Sequence, residues 1–98
     1  NDSCAMINNK KGWIVQDNYF TTRDFAEHRI TALQKAGLKC SIVQGSCLNR
    51  SSSGYVVIYN EMHKSEQNAV SALEKTRKIL SKNKIEYDRM FIRALGEL

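Results

Sequence analysis

The alternation of apolar and polar residues divides most of the chain into four strand patterns and two helical patterns. Residues 13–16 are aromatic and β-branched, which predicts a first strand. Residues 38–44 alternate between apolar and polar side chains, as a half-buried strand does. Residues 55–59 are apolar on both faces, which is typical of a central strand. The alternation over residues 86–94 predicts a last strand.

The two helical patterns lie between these strands. Thr21 or Thr22 precedes the first helix as its N-cap, and Gly37 is expected to end it in a left-handed conformation. Ser65 is the expected N-cap of the second helix. Apolar side chains recur near a period of 3.6 residues in both, at Ala26, Ile30 and Leu33 in the first and at Ala69, Ala72, Leu73, Thr76 and Leu80 in the second.

The order of these elements is β-α-β-β-α-β, and the two halves resemble each other. Residues 13–20 align with residues 55–62 without a gap, and each segment precedes a polar cap and a helix. Two packed β-α-β halves predict a ferredoxin-like α+β domain over residues 12–98, with a four-stranded antiparallel sheet and both helices on one face. Residues 1–11 are polar and unpatterned, and we expect a tail there. The second face of the sheet is expected to be open.

The charge and the apolar content allow a single soluble domain that binds anionic polymers. The chain has 98 residues, a formal net charge of +5 and a sequence pI of about 9.3. A basic balance favours polyanions such as nucleic acid, anionic lipid or acidic polymers. Part of the charge has a structural explanation, because five basic residues in the second half of the second helix complement its dipole: Lys75, Arg77, Lys78, Lys82 and Lys84. No apolar run approaches the roughly 20 residues of a membrane span.

Residues that carry chemistry are sparse. His28 and His63 have no ligand spacing, and the three cysteines, Cys4, Cys40 and Cys47, contain no C-x-x-C pair, so we expect no metal site and no cofactor. One disulfide bond or three free thiols are both consistent with the cysteines, although a Cys40–Cys47 bond is not expected because the loop between them would have to turn sharply. Nucleophile elbows, P-loops and dinucleotide-binding glycine patterns are lacking. We therefore expect a binding module and not an enzyme.

The start of each half resembles the SPOR domain family. Residues 15–20, Val-Gln-Asp-Asn-Tyr-Phe, are similar to the family's Val-Gln-x-Gly-Ser-Phe, and Ala26 and the Ala-Gly-Leu of residues 36–38 match its helix and the end of that helix. Asn18-Tyr19 replaces the Gly-Ser of the family motif, and the second half has Asn-Glu-Met at residues 60–62 instead of Gly-Pro-Phe. The resemblance covers residues 12–94.

The resemblance implies a non-catalytic peptidoglycan-binding module of the bacterial cell envelope. The family's usual ligand is the glycan strand freed of stem peptides, which is enriched at sites of cell division. The resemblance also implies a monomeric periplasmic domain of a larger exported protein, attached to a membrane only through an anchor outside this chain.

Strand alternation places the candidate ligand-binding side chains on the open face of the sheet. A stripped glycan offers hydroxyls, acetamido groups and carboxylates, which suit amide side chains, an aromatic platform and arginines. The candidates are Gln16 and Asn18 on the first strand, Ile58 and Asn60 on the third, and Arg89, Phe91 and Arg93 on the last.

Two other classes of binding module share this topology. An RNA-recognition module is favoured by the basic charge and by residues 53–59, which partly match the RNP motif. The match fails at Ser53, where a basic residue is expected, and at Val57, where an aromatic residue would stack on a base. A regulatory or protein-interaction domain would use the open face or an edge strand.

Overall fold

The computed structural model describes residues 3–49 and 51–96. Its strands are β1 (Gly12–Phe20), β2 (Cys40–Gln44), β3 (Tyr55–Tyr59) and β4 (Phe91–Leu95), and its helices are α1 (Arg23–Lys35) and α2 (Glu66–Lys82). Short 3-10 turns lie at Ser3–Met6 and Gly45–Cys47. No helix in these two ranges is long and apolar enough to cross a membrane.

The four strands form one antiparallel sheet in the order β2-β3-β1-β4, and both helices pack on one face of it. The predicted ferredoxin-like α+β fold is therefore confirmed. β1 and β3 are the inner strands, and β2 and β4 form the edges.

The core on the helix side is built from the predicted apolar stripes. Ala26 and Leu33 of α1 and Leu80 of α2 are fully buried against Val15 and Val57 of the inner strands. Burying a leucine side chain stabilises a fold by roughly 1.5–3 kcal/mol, so these stripes fix the helices to the sheet.

The ends of the helices follow local capping rules. The Ser65 hydroxyl accepts a hydrogen bond of 3.1 Å from the backbone N–H of Asn68, as expected of an N-cap. Thr22 is the N-cap of α1, but its side chain makes no capping hydrogen bond. Gly37 ends α1 with φ +86°, and the N–H of Leu38 donates back to the Leu33 carbonyl. Because the N–H of Leu38 bonds to α1, Leu38 does not join the sheet. The predicted strand over residues 38–44 is therefore shorter in the structure, where β2 begins at Cys40.

The second face of the sheet is partly covered, which corrects the expectation of an N-terminal tail and a fully open face. Ile7, from the segment preceding β1, is 7% exposed. A second apolar cluster joins it to sheet residues on this face: Ile14, Val43, Val56, Ile58 and Leu95. Residues 3–11, here called the N-terminal segment, therefore cover part of this face, with the turn at Ser3–Met6 against β2 and Lys10 beside Gly96, which follows β4.

A disulfide bond between Cys4 and Cys47 ties the N-terminal segment to the β2–β3 loop. The sequence left this pairing open, since spacing alone does not show that residues 3–11 cross the sheet. Cys40 is free and buried, which agrees with the alternation of apolar and polar side chains over residues 38–44. The predicted lack of a Cys40–Cys47 bond is confirmed.

β4 is shorter than predicted, because it starts at Phe91 and not at Glu86. The Glu86 carbonyl accepts a hydrogen bond of 2.6 Å from Arg29 Nη2 of α1. The Glu86 carbonyl is thus bonded to a side chain of α1 and not to a neighbouring strand. Residues 86–90 form no strand.

Candidate functional site

A β-bulge in β1 determines which side chains reach the second face of the sheet. Gln16 pairs with Ile58 of β3, but the next paired residue, Asn18, lies opposite Val57, so Asp17 is the extra residue. Paired residues project to the same face, and Val57 belongs to the helix-side core. The prediction that Asn18 lies on the open face is therefore wrong. Tyr19 lies opposite Val56 and takes that face instead.

Hydrogen bonds to the buried Asp17 carboxylate hold the bulge. Arg29 donates to both carboxylate oxygens, with Nε at 2.6 Å and Nη2 at 2.9 Å, and the Tyr59 hydroxyl donates at 2.5 Å. Burial works against the charge of Arg29, but the hydrogen bonds and negative charge of Asp17 outweigh it and raise the pKa of Arg29. Burial and the neighbouring carboxylate also raise the pKa of Tyr59.

Three of the predicted binding residues come together where β1 pairs with β4. Gln16 lies opposite Phe91, and Ile14 lies opposite Arg93, so all four share the second face. Arg93 Nε donates to Gln16 Oε1 at 2.9 Å, and the Arg93 guanidinium carbon lies 5.5 Å from the centre of the Phe91 ring. Burial lowers the pKa of Arg93, although an arginine remains charged at physiological pH.

Two aromatic side chains are accessible on this part of the sheet. Phe91 is 43% exposed and Tyr19 is 40% exposed. The Tyr19 hydroxyl lies beside Gly54, where a Cβ would overlap it, and Gly54 has φ +84°. Tyr19 was missed from the sequence because the bulge reverses the alternation after Gln16. We call Gln16, Tyr19, Phe91 and Arg93 the β1–β4 surface.

The other candidates lie outside this group. Ile58 is on the same face but only 2% exposed, since the apolar cluster under the N-terminal segment includes it. Asn60 follows β3 and accepts a hydrogen bond of 2.7 Å from the Ser41 hydroxyl. Arg89 is exposed in the segment before β4. The Asn18 side-chain oxygen accepts from the Tyr19 N–H at 2.7 Å.

The β1–β4 surface contains groups that can form hydrogen bonds and stacking contacts. It combines a cation, an amide and two aromatic rings, and it contains no carboxylate, thiol or imidazole that would act as an acid, base or nucleophile. Within residues 3–49 and 51–96, no group of three or more His, Cys, Asp or Glu residues is placed to hold a metal ion.

Comparisons of the chain with protein-family models, with curated proteins and with solved structures found no match.

Proposed function

We propose that this chain is a non-catalytic module of the bacterial cell envelope that binds peptidoglycan glycan strands freed of stem peptides. The observation that supports the proposal is the β1–β4 surface, where Arg93 is held by Gln16 and stacks against Phe91 on an accessible sheet face. The SPOR-like motif over residues 15–20 of β1 supplies the ligand class.

The accessible groups on this surface have counterparts in a stripped glycan. Phe91 and Tyr19 offer ring faces to the apolar faces of sugars. Gln16 is only 5% exposed, and it contributes by orienting Arg93. Arg93 supplies the charge for lactyl carboxylates. Because Gln16 already orients the guanidinium, little side-chain entropy is lost on binding.

The side chains of β3 on the second face favour glycan over RNA. RNA-recognition modules stack bases on aromatic side chains of the inner strands. In this chain the corresponding β3 residues, Val56 and Ile58, are aliphatic and buried under the N-terminal segment. Of the two accessible rings, Phe91 lies on the edge strand β4, and Tyr19 lies near the end of the inner strand β1, beside Gly54. Because Tyr19 could still stack on a base, RNA is the competitor to include in the binding experiment.

The Cys4–Cys47 bond is compatible with an exported, periplasmic domain, since such bonds persist in oxidising compartments. Enrichment at division sites and attachment through an anchor outside this chain are part of the same proposal, as expected from the family resemblance.

Cosedimentation with purified peptidoglycan sacculi tests the proposal. We expect retention to increase after an amidase removes the stem peptides. Arg93→Ala should weaken binding about tenfold or more, as loss of a charged hydrogen-bond donor does. Arg23→Ala is the matched control, because Arg23 also stacks on an aromatic ring, that of Tyr55 at 5.9 Å, but lies outside the surface.

A second pair of variants tests the aromatic platform. Phe91→Ala should reduce retention, whereas Phe25→Ala, which removes a 63% exposed ring from α1, should not. Attraction through net charge alone would fade as salt rises to physiological strength. Loss of all retention at about 0.15 M salt, or better competition by RNA than by soluble glycan, would contradict the proposal.

A further inference from the structure

A second concave surface lies on the helix side of the molecule, away from the β1–β4 surface. It is a cleft of about 350 Å³ between α2 and the segment after β3. The polar residues that border it are Glu61, His63, Asn68, Ser71 and Lys75. It shares Glu61 and Thr76 with a neighbouring cleft of about 420 Å³ that extends to Lys39. Both volumes lie in the range of roughly 300–1,000 Å³ that is usual for small-molecule sites.

The backbone of His63, one of the residues that line this cleft, is bonded to β1. Its backbone exchanges two hydrogen bonds of 2.8 Å with Trp13 of β1. The neighbouring residue, Gly12, has φ +137°, and a Cβ there would lie 2.7 Å from the His63 carbonyl oxygen. This close backbone approach therefore needs glycine, and it fixes the position of the His63 backbone.

The His63 imidazole is mostly buried and lines the cleft. The residue is 9% exposed, and its imidazole makes no hydrogen bond to any residue that the structure describes. Neither ring nitrogen is fully enclosed, so the imidazole keeps contact with solvent. A ligand in the cleft would therefore replace water as the hydrogen-bond partner of His63.

The other polar groups of the cleft have spare hydrogen-bonding capacity. The backbone N–H of Asn68 donates to the Ser65 hydroxyl, and the Asn68 carboxamide takes no part in this bond. The Thr76 hydroxyl donates to the Ala72 carbonyl at 2.8 Å, and its oxygen can still accept. Both residues belong to α2, which fixes the positions of their backbones at the cleft.

Opposite charges border the same cleft without neutralising each other. Glu61 and Lys75 both line it, and neither forms an ion pair within the described part of the chain. A ligand with one positive and one negative group would satisfy both, and the neutral donors and acceptors that also line the cleft suit peptide groups.

We propose that this cleft binds a short peptide with a free amino group and a free carboxylate. Glu61 binds the ammonium group, Lys75 binds the carboxylate, and His63 and Asn68 form hydrogen bonds with the peptide groups. Lys39, in the adjoining cleft, offers a second cation for an acidic side chain or a longer ligand. The site is independent of the proposed glycan surface.

Titration of the ¹⁵N-labelled chain with trialanine, followed by NMR, tests this proposal. We expect saturable shifts at the amides of Glu61, His63, Asn68 and Lys75. Glu61→Gln and Lys75→Gln should each weaken binding about tenfold or more. Glu66→Gln and Lys78→Gln change exposed charges of α2 outside the cleft and should leave the affinity unchanged.

Two further probes define the ligand class. N-acetyl-trialanine amide, which lacks both terminal charges, should bind much more weakly than trialanine. Equal binding of the two peptides, or equal shifts with inorganic phosphate, would overturn the proposal, as would the lack of any saturable shift. Retention by sacculi should be the same for the Glu61→Gln and Lys75→Gln variants as for the unchanged chain, which separates this site from the glycan surface.

Discussion

Asp17 is a fully buried carboxylate that links β1, β3 and α1 through its bonds to Tyr59 and Arg29. Asp17→Asn removes its charge and leaves the Arg29 side chain, which is 12% exposed, without its counter-ion. Removing one partner of a buried pair costs about 3–5 kcal/mol, and we expect a loss of that size. Urea denaturation followed by circular dichroism measures it.

Asp24→Asn is the matched control, since Asp24 is exposed in the first turn of α1. Its effect should stay near the 0.5 kcal/mol or so of surface substitutions. Because Asp17 is also the extra residue of the bulge, Asp17→Asn should disturb the position of Tyr19. An Asp17→Asn variant as stable as the Asp24→Asn control would show that the pair does not hold the bulge.

The Cys40 thiol and the Tyr59 hydroxyl, both near Asp17, should make the chain less stable at alkaline pH. Burial, with a smaller contribution from Asp17, raises the pKa of the Cys40 thiol to about 11, and burial likewise raises the pKa of Tyr59. Both groups stay protonated in the folded chain but ionise when it unfolds, from about pH 8.5 for a cysteine and pH 10 for a tyrosine. Their contribution to the free energy of unfolding is therefore complete below these unfolded-state pKa values. It is lost as the pH rises toward the pKa of each group in the folded chain.

The free energy of unfolding should fall by about 1.4 kcal/mol per pH unit for each group, between its pKa in the unfolded chain and its pKa in the folded chain. Urea denaturation between neutral pH and pH 10.5 or so measures it. Tyr59→Phe should reduce the slope above about pH 10 to the part that comes from Cys40. Tyr55→Phe, which changes a half-buried tyrosine of the same strand, should leave the slope unchanged. A flat profile in the unchanged chain would be inconsistent with these buried protonated groups.

At the scale of elements, local sequence signals were sufficient to predict the two helices and the succession of strands and helices along the chain. Gly37 and Ser65 mark helix ends through backbone rules that act within a few residues. The bulge at Asp17 could not be predicted this way, because its partners Arg29 and Tyr59 come from other elements. The start of β4 was missed for the same reason, since the contact between Arg29 and Glu86 spans 57 residues.

The candidate site was predictable only in part. Alternation on β4 correctly placed Phe91 and Arg93 beside Gln16, because no irregularity intervenes between Gly12 and Gln16 where β1 meets β4. Ile58 was expected to be accessible, but the N-terminal segment buries it. That cover depends on one apolar residue, Ile7, and on a disulfide bond, and neither has a local sequence signature.

The N-terminal segment should depend on the Cys4–Cys47 bond for its position. The bond joins residues 43 apart, for which chain entropy predicts a stabilisation of about 4 kcal/mol. We expect Cys4→Ser with Cys47→Ser to lose stability of this order and to uncover the apolar cluster around Ile14 and Ile58. Hydrogen exchange of residues 3–11, together with binding of a hydrophobic dye, reports the change.

Reductant provides the control for that experiment. It should reproduce the loss in the unchanged chain and have no effect on the double variant, because the remaining Cys40 forms no disulfide bond. Full protection of residues 3–11 after reduction would show that Ile7 alone holds the segment in place.

At the scale of the whole molecule, the sheet separates the two proposed binding surfaces. The β1–β4 surface lies on the second face, and the cleft at His63 lies on the side of α2. They share no side chain, although β1 contributes to both through Gln16 and through the backbone of Trp13. The free-energy changes caused by substitutions in one surface should therefore add to those caused by substitutions in the other.

The disulfide bond also changes how the folded chain would carry tension. A pull applied to the two ends passes through the sulfur atoms from Cys4 to Cys47 and bypasses the backbone between them. β1, α1 and β2 all lie inside that covalent ring. The 43 residues of separation, at roughly 3.5 Å each, shorten the extensible length by about 150 Å. A module that holds a polymer under load would thus keep β1, with Gln16 and Tyr19, shielded from the stretching force until the sulfurs are reduced.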